Sequence, residues 1–155
     1  MSGYTLDTHA DQAFCRAMGE ICLPTLYIPD NEWESLNSRG LPQTKARRTK
    51  AIKTRTMTWA RDHKRAHVAD YRHIRNSPQV RVIVIAHMRS ARYDLDNLTA
   101  AAKPVIDALR ATGYLADDNC RIITAYDLRP GQPCTRPGWH GIEIHITPIT
   151  REEPS

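Results

Sequence analysis

The sequence predicts an α+β domain on a mixed β-sheet, with elements in the order β-α-β-α-β-β. Three stretches carry that expectation. Residues 79–87, QVRVIVIAH, are β-branched and almost continuously apolar, as in a strand covered on both faces. Residues 141–147 set Ile142, Ile144 and Ile146 against Glu143, His145 and Thr147, so one face is expected to be buried and the other wet. Residues 97–112 read as a helix, with Gly113 just beyond its end, where a left-handed cap favours glycine.

The remaining elements follow in order. Residues 8–18 suit a short helix capped by Thr8 and ended by Gly19. Residues 23–28 suit a strand, and Pro24 and Pro29 put it at a sheet edge. Residues 30–43, rich in Asn, Ser, Gly and Pro, read as a loop. From 49 to 73 there is no Gly or Pro, and Ile52, Met57, Trp59, Ala60, Val68 and Tyr71 can fill a helical stripe that ends before Asn76-Ser77-Pro78. Residues 120–128 suit another strand. The chain divides into an arm or short helix (1–22), one domain (23–150) and a tail (151–155).

A chain of 155 residues suits one compact domain with a sizeable core. Its 41% apolar and 25% charged residues exclude a disordered protein. No apolar run approaches the roughly 18 residues of a membrane span, and the start lacks a secretory apolar stretch. Cys15, Cys22, Cys120 and Cys134 include no C-x-x-C pair, so reduced thiols and a cytoplasmic location are expected. A Cys15/Cys22/His9 metal site is the poorer alternative, because its spacing is unlike that of zinc sites.

Charge is concentrated in one place. Between residues 44 and 75 stand eleven Lys and Arg against Asp62 and Asp70, so this segment carries +9 and the remainder −4. Such a density suits a phosphate backbone, since each neutralised phosphate releases counterions. The expected contacts are Lys45, Arg47, Arg48, Lys50, Lys53, Arg55, Lys64 and Arg65, joined by Arg92. A solvated helix face is the alternative for any charge run. Trp33, Trp59 and Tyr93 suit either stacking on unpaired bases or packing in the core. His63 and His67, four apart, lack the Glu of H-E-x-x-H and read as part of the basic face.

Residues 92–119, RYDLDNLTAAAKPVIDALRATGYLADDN, hold the chemistry-bearing acids. Asp94 and Asp96 lie two apart after the central strand, so an extended backbone sends both to one side. Asn97 can cap the following helix, on which Lys103 and Asp107 are four apart and can pair. Asp117 and Asp118 lie beyond Gly113, on a return that can lead back towards the helix start. Asp94, Asp96 and Asp118 together would suit a magnesium ion, which takes a few carboxylates plus water and phosphate oxygens. Lys103 would then face the charge that develops on a phosphodiester. Spacing alone leaves turn and cap roles equally open for these acids.

Asp94-Leu95-Asp96-Asn97-Leu98, then Lys103-Pro104-Val105-Ile106-Asp107-Ala108-Leu109, then Gly113 and Asp117-Asp118, resemble the RusA-type Holliday junction resolvases. The resemblance covers about residues 23–148. It implies a homodimer with a mixed α/β fold that cuts four-way DNA junctions with Mg²⁺, Mn²⁺ substituting. It implies catalytic, metal-holding Asp94, Asp96 and Asp118, an essential Lys103, and supporting Asn97, Asp107 and Asp117. Here the lysine stands six residues after the asparagine, where many members have three. The difference is close to one helical turn. The expected partner is branched DNA, with no membrane and no nucleotide cofactor, since the P-loop, G-x-S-x-G and dinucleotide signatures are all missing. A non-catalytic branched-DNA binder, or a nuclease for other DNA or RNA structures, is the alternative.

Overall fold

The computed structural model describes residues 19–33, 41–88, 96–117 and 120–149. In chain order these form β1 (Ile21–Cys22), β2 (Leu26–Pro29), α1 (Pro42–Ala66), α2 (Val68–Asn76), β3 (Gln79–His87), α3 (Asp96–Ala111), β4 (Ile123–Pro130) and β5 (Trp139–Ile149). The expected α+β class and mixed sheet are what the chain adopts. The expected helix at 8–18 lies outside the described residues.

The apolar run of β3 takes the centre of the sheet, whose order is β1-β5-β3-β4, with β2 beside β1 on the outer side of β5. β3 runs antiparallel to β5, from Gln79 opposite Ile149 to His87 opposite Gly141. It runs parallel to β4, from Val80 beside Ile123 to Ala86 beside Pro130. A parallel pair needs a crossover, and α3 supplies it. β4 starts at Ile123 rather than at 120, because Cys120–Ile122 form a turn whose Ile122 carbonyl accepts from the Val80 amide at 2.8 Å. Pro130 costs β4 no ladder bond, since this strand is at the edge.

The edge strand expected at 23–28 comes in two pieces. β1 pairs with Ile146 and His145 of β5, and β2 pairs with Ile142 to Trp139. Between them lie Pro24 and Thr25, while the Leu23 amide still donates to the Ile144 carbonyl at 2.9 Å. Cys22 is disulfide-bonded, against the expectation of four reduced thiols, whereas Cys120 and Cys134 are free.

All three helices feed one core with the sheet face that carries Val80, Val82, Val84, Ala86, Ile142, Ile144 and Ile146. α3 contributes Leu98, Ala101, Ala102, Val105, Ile106 and Leu109 to it. Its alanines let α1 lie close, and α1 meets the core through the narrow stripe Ile52, Thr56, Ala60 and His63. The buried Thr56 hydroxyl donates to the Ile52 carbonyl at 2.7 Å, so it carries no unmet polar cost. Among the described residues, no helix is long and apolar enough to cross a membrane.

Two helix boundaries differ from expectation. α1 begins at Pro42, seven residues early, because proline at the first helical position forfeits no internal hydrogen bond. The helix expected to run to 73 breaks at His67, whose φ of −134° and ψ of 60° are not helical. No local breaker marks that point; the cause is tertiary. His63, read as part of the basic face, is buried instead, with Nδ1 hydrogen-bonded to Tyr114 Oη at 2.6 Å. The His67 ring stacks on it at 4.6 Å, and the bend brings Tyr71 edge-on to Tyr114 and Ile74 into the core.

Gly113 ends α3 at φ +85°, with its amide donating to the Arg110 carbonyl and the Tyr114 amide to the Leu109 carbonyl. A Cβ there would meet Tyr71 Oη at 3.0 Å. Gly113→Ala is therefore expected to destabilise the domain by about 1–2 kcal/mol, from the left-handed backbone alone with Tyr71 adding to it. Urea denaturation measures this, and an unchanged midpoint would show that the cap is not under this constraint.

Candidate functional site: the α3–β4 cleft

α3 starts at Asp96 and keeps Leu98, Ala101, Ala102, Val105 and Leu109 inward. Thr99, Lys103 and Ile106 recur at intervals of four and three, so they share one helical face. That face forms one wall of a cleft of about 290 Å³, whose other wall is Cys120, Ile123 and Tyr126. Lys103 has 68% of its side chain exposed, and its Nζ lies 3.3 Å from Asp107 Oδ1. Asp107 is thus the ion-pair partner expected for Lys103.

The return from Gly113 follows α3 backwards. Asp117 Oδ1 stands 3.9 Å from Arg110 Nη1, near the end of α3. Three residues later, Cys120 lines the same cleft as Thr99 and Lys103. The segments that follow Asp96 and Asp118 in sequence therefore border one cleft. Asp94, Asp118 and Arg92 lie outside the described residues. Asn97 is the second residue of α3 rather than its cap. Pro104 sits inside the helix and leaves the Ala100 carbonyl without its usual donor.

Among the described residues, no group of three or more His, Cys, Asp or Glu could hold a metal ion. The donor chemistry of Asp94, Asp96 and Asp118 nevertheless fits a hard divalent cation, which takes carboxylate oxygens and keeps water. Asp117 pairs with Arg110 and is not among the residues that line the cleft.

The basic residues lie on α1, immediately beside α3. Arg47, Lys50 and Arg65 are exposed; Lys45, Arg48, Lys53 and Lys64 are half-buried. Arg55 is committed, since it donates to both Glu32 carboxylate oxygens at 2.8 and 3.1 Å. The Lys64 ammonium sits 4.2 Å from the centre of the Tyr71 ring. Arg48 Nε is buried and has no hydrogen-bond partner among the described residues. Trp33 is buried and stacks on His140 at 4.5 Å, and Trp59 packs against the core; Tyr93 lies outside the described residues.

A second polar cluster was not expected. The face of β5 carrying Glu143 and His145 was predicted to be wet, yet Glu143 is buried. Its Oε1 lies 2.5 Å from His87 Nε2 and its Oε2 3.0 Å from His145 Nε2. His87 Nδ1 donates to the Gln132 carbonyl at 2.8 Å, and His145 Nδ1 faces Glu20 at 3.3 Å and Cys22 Sγ at 3.2 Å. These side chains and residues 131–135 lie over one another, which is why Glu143 is buried while His145 and Thr147 stay partly exposed. Gly131 is required here, as a Cβ would press on the His87 ring at 2.5 Å.

Burial pushes the Glu143 carboxyl up, but hydrogen bonds from His145 and His87 and their charge outweigh it and hold it at about 2. Burial pulls both imidazoles down, yet their bonds to Glu143, with Gln132 for His87 and Glu20 for His145, leave both raised above 6.5. Both His87 nitrogens are engaged, so this histidine has no free atom to act as a base. The cluster is an ion-pair lock between strands.

Sequence reasoning missed Thr99, Ile106, Cys120 and Tyr126 as cleft residues. Reading Lys103 at intervals of four and three would have found the first two. The pairing of Glu32 with Arg55 and of Glu143 with His87 spans distant sequence and left no local signal. No family model and no curated protein matches the chain.

Two outcomes follow. The imidazolium contribution is complete below pH 6.5 and fades as pH rises through the raised histidine values; the Glu143 contribution is complete above pH 4.5 and fades as pH falls towards 2. Glu143→Gln should thus cost most between about pH 4.5 and 6.5, on the order of 3 kcal/mol for a broken buried pair, and less at pH 9. Thermal melts across pH test this; an equal loss at pH 6 and pH 9 would contradict it. Lys103→Met should change stability by less than about 1 kcal/mol, because its ion pair is exposed. A larger loss in urea titration would make Lys103 a structural residue.

Proposed function

We propose that the chain is a divalent-metal-dependent, structure-selective endodeoxyribonuclease acting on branched DNA, with four-way junctions as the preferred substrate. The single observation that carries this reading is the α3–β4 cleft, which Lys103, on the helix that begins at Asp96, shares with Cys120, two residues after Asp118. The basic helix α1 supports it, because its cations lie on a helix packed directly against α3, which carries Lys103. The resemblance of the acidic motifs to RusA-type resolvases supplies the junction as substrate.

On this reading Asp94, Asp96 and Asp118 hold the cation. When bound, it supplies Lewis acidity at the phosphodiester and a more acidic attacking water. Lys103, on the open wall of the cleft, steadies the negative charge that builds on the phosphate oxygens as water adds to phosphorus. Asp107, one turn on, keeps the ammonium on that wall. Ile106 and Ile123 keep the floor of the cleft apolar, which strengthens these charges by excluding water. Symmetrical cutting of a four-way junction needs two clefts, hence a homodimer.

The experiment is cleavage of an end-labelled four-way junction with Mg²⁺ or Mn²⁺. Asp96→Asn should lose cleavage by at least about a hundredfold while junction binding in EDTA is retained. A folded Asp96→Asn protein that still cleaves would remove this acid from the chemistry. Binding without any nicking by the wild type would leave a non-catalytic junction-binding protein.

A further inference from the structure

A second and larger cavity, about 730 Å³, lies between the outer edge of β2 and α1. Its α1 wall is Arg47, Lys50, Ala51, Thr54, Thr58 and Asp62, spaced as one face of the helix. That face is distinct from the stripe Ile52, Thr56, Ala60 and His63 that meets the core. Arg55 and Glu32 also line the cavity, but they neutralise each other. Arg47 and Lys50 are exposed and have no carboxylate within ion-pair reach among the described residues, so the mouth of the groove keeps two uncommitted cations. Asp62 opposes them from the far end, three turns along.

The floor is small and hydroxyl-bearing, with Ala51, Thr54 and Thr58, which leaves room for a backbone to approach. Its outer rim is fixed by a ladder in which Arg136 lies 5.2 Å from the Tyr27 ring and 4.2 Å from Trp139, with Arg55 over Trp139 at 5.6 Å. Arg47 and Lys50 take no part in these contacts and have no ion-pair partner among the described residues.

Its position relative to the α3–β4 cleft decides what it takes. The groove follows the β2 edge and the cleft the β4 edge, with β5 and β3 between them. Three strand spacings of about 4.8 Å put the two edges roughly 14 Å apart before side chains are counted. The packed pair α3 and α1, each about 10 Å wide, lies between the cleft and the groove, so the two open on opposite sides of the helical layer. We propose that the α1–β2 groove is a second nucleic-acid site that takes the phosphate backbone of a DNA arm other than the one presented to the cleft. The proposal rests on the nuclease reading only for what occupies the cleft.

The test compares binding of a labelled four-way junction and of a single 16-base-pair duplex by fluorescence anisotropy in EDTA. The proteins are wild type, Arg47→Ala/Lys50→Ala, and Thr54→Glu, which places a negative charge on the groove floor. The double variant should weaken junction binding roughly tenfold and flatten its log–log salt slope by about two units, one for each lost phosphate contact. Duplex binding should change less than about twofold, and Thr54→Glu should act in the same direction. Circular dichroism melts matching the wild type confirm that the variants fold, as expected for exposed positions. Equal losses on junction and duplex would make the groove a general basic surface and overturn the proposal, as would no loss on either. If the wild type binds the junction but does not nick it in Mg²⁺ or Mn²⁺, the nuclease reading falls, and a junction-specific loss in the double variant still supports the groove.

Discussion

The parallel pairing of β3 with β4 governs where everything else in this domain can be. Two parallel neighbours cannot be joined by a turn, so the chain must leave β3 at His87, cross the sheet, and re-enter at Ile123. α3 is that crossing. The crossing fixes its axis over the sheet, buries its small apolar face and turns Thr99, Lys103 and Ile106 towards the open β4 edge. It also puts the acidic motif between the exit from β3 and the first turn of α3, and the second acidic pair on the approach to β4. β5, antiparallel on the other flank of β3, completes the platform with the longest strand in the sheet.

α1 shows the opposite balance of forces. Its fully buried contact with the core is a stripe of four residues, one of them Ala60 and one the hydroxyl-bearing Thr56, with Trp59 packed partly buried beside it. Against that modest apolar anchor stand nine Lys and Arg within 25 residues, opposed on the same helix by Asp62 alone. Among the described residues, Arg55 alone of these cations has a carboxylate partner. Like charges one turn apart on a helix disfavour it by a few tenths of a kcal/mol each, and salt screens them beyond about 8–10 Å. A bound polyanion removes that repulsion, so the helix that contacts it gains stability on binding. This charge density lowers stability in the free state, and on the function proposed here it serves association with DNA.

How much of this the sequence revealed depends on whether the cause was local. β3 was readable to the residue because its β-branched run Val80–Ile85 is interrupted by Arg81 alone and is preceded by the breaker Asn76-Ser77-Pro78. The alternation of Ile142, Ile144 and Ile146 and the glycine after α3 were readable for the same reason, since pleat and cap are properties of neighbouring residues. The break at His67 was not, because it is set by Tyr114, which lies 51 residues from His63 in sequence. Nor was the burial of Glu143, whose partner His87 lies on another strand 56 residues away. At the candidate site the sequence supplied the acids and Lys103 but not the cleft, which needs the turn at Cys120 to come back against α3. A helical face can be derived from spacing, whereas the opposite wall cannot.

Comparing the Glu143 cluster with the Lys103 pair separates strength of interaction from availability for chemistry. The Glu143 carboxyl is held far below the ordinary carboxylate range, and a displaced pKa in a buried setting often marks an active residue. Here its cause is complete internal satisfaction: each carboxylate oxygen meets an imidazole, one imidazole reaches a carbonyl and the other a second carboxylate. Every atom that could move a proton to a substrate already has a partner, and the cluster spends its interaction energy on joining β1, β3, β5 and the 131–135 turn. Lys103 is tied by one exposed ion pair that costs little to break, and its ammonium faces a cavity. A phosphate oxygen entering that cavity can replace Asp107 as its partner, an exchange of one anionic oxygen for another. No such exchange is open to His87 without leaving Glu143 buried and half-satisfied. The lock and the candidate site therefore divide the polar chemistry of the fold, and the weaker pairing is the one suited to work on a substrate.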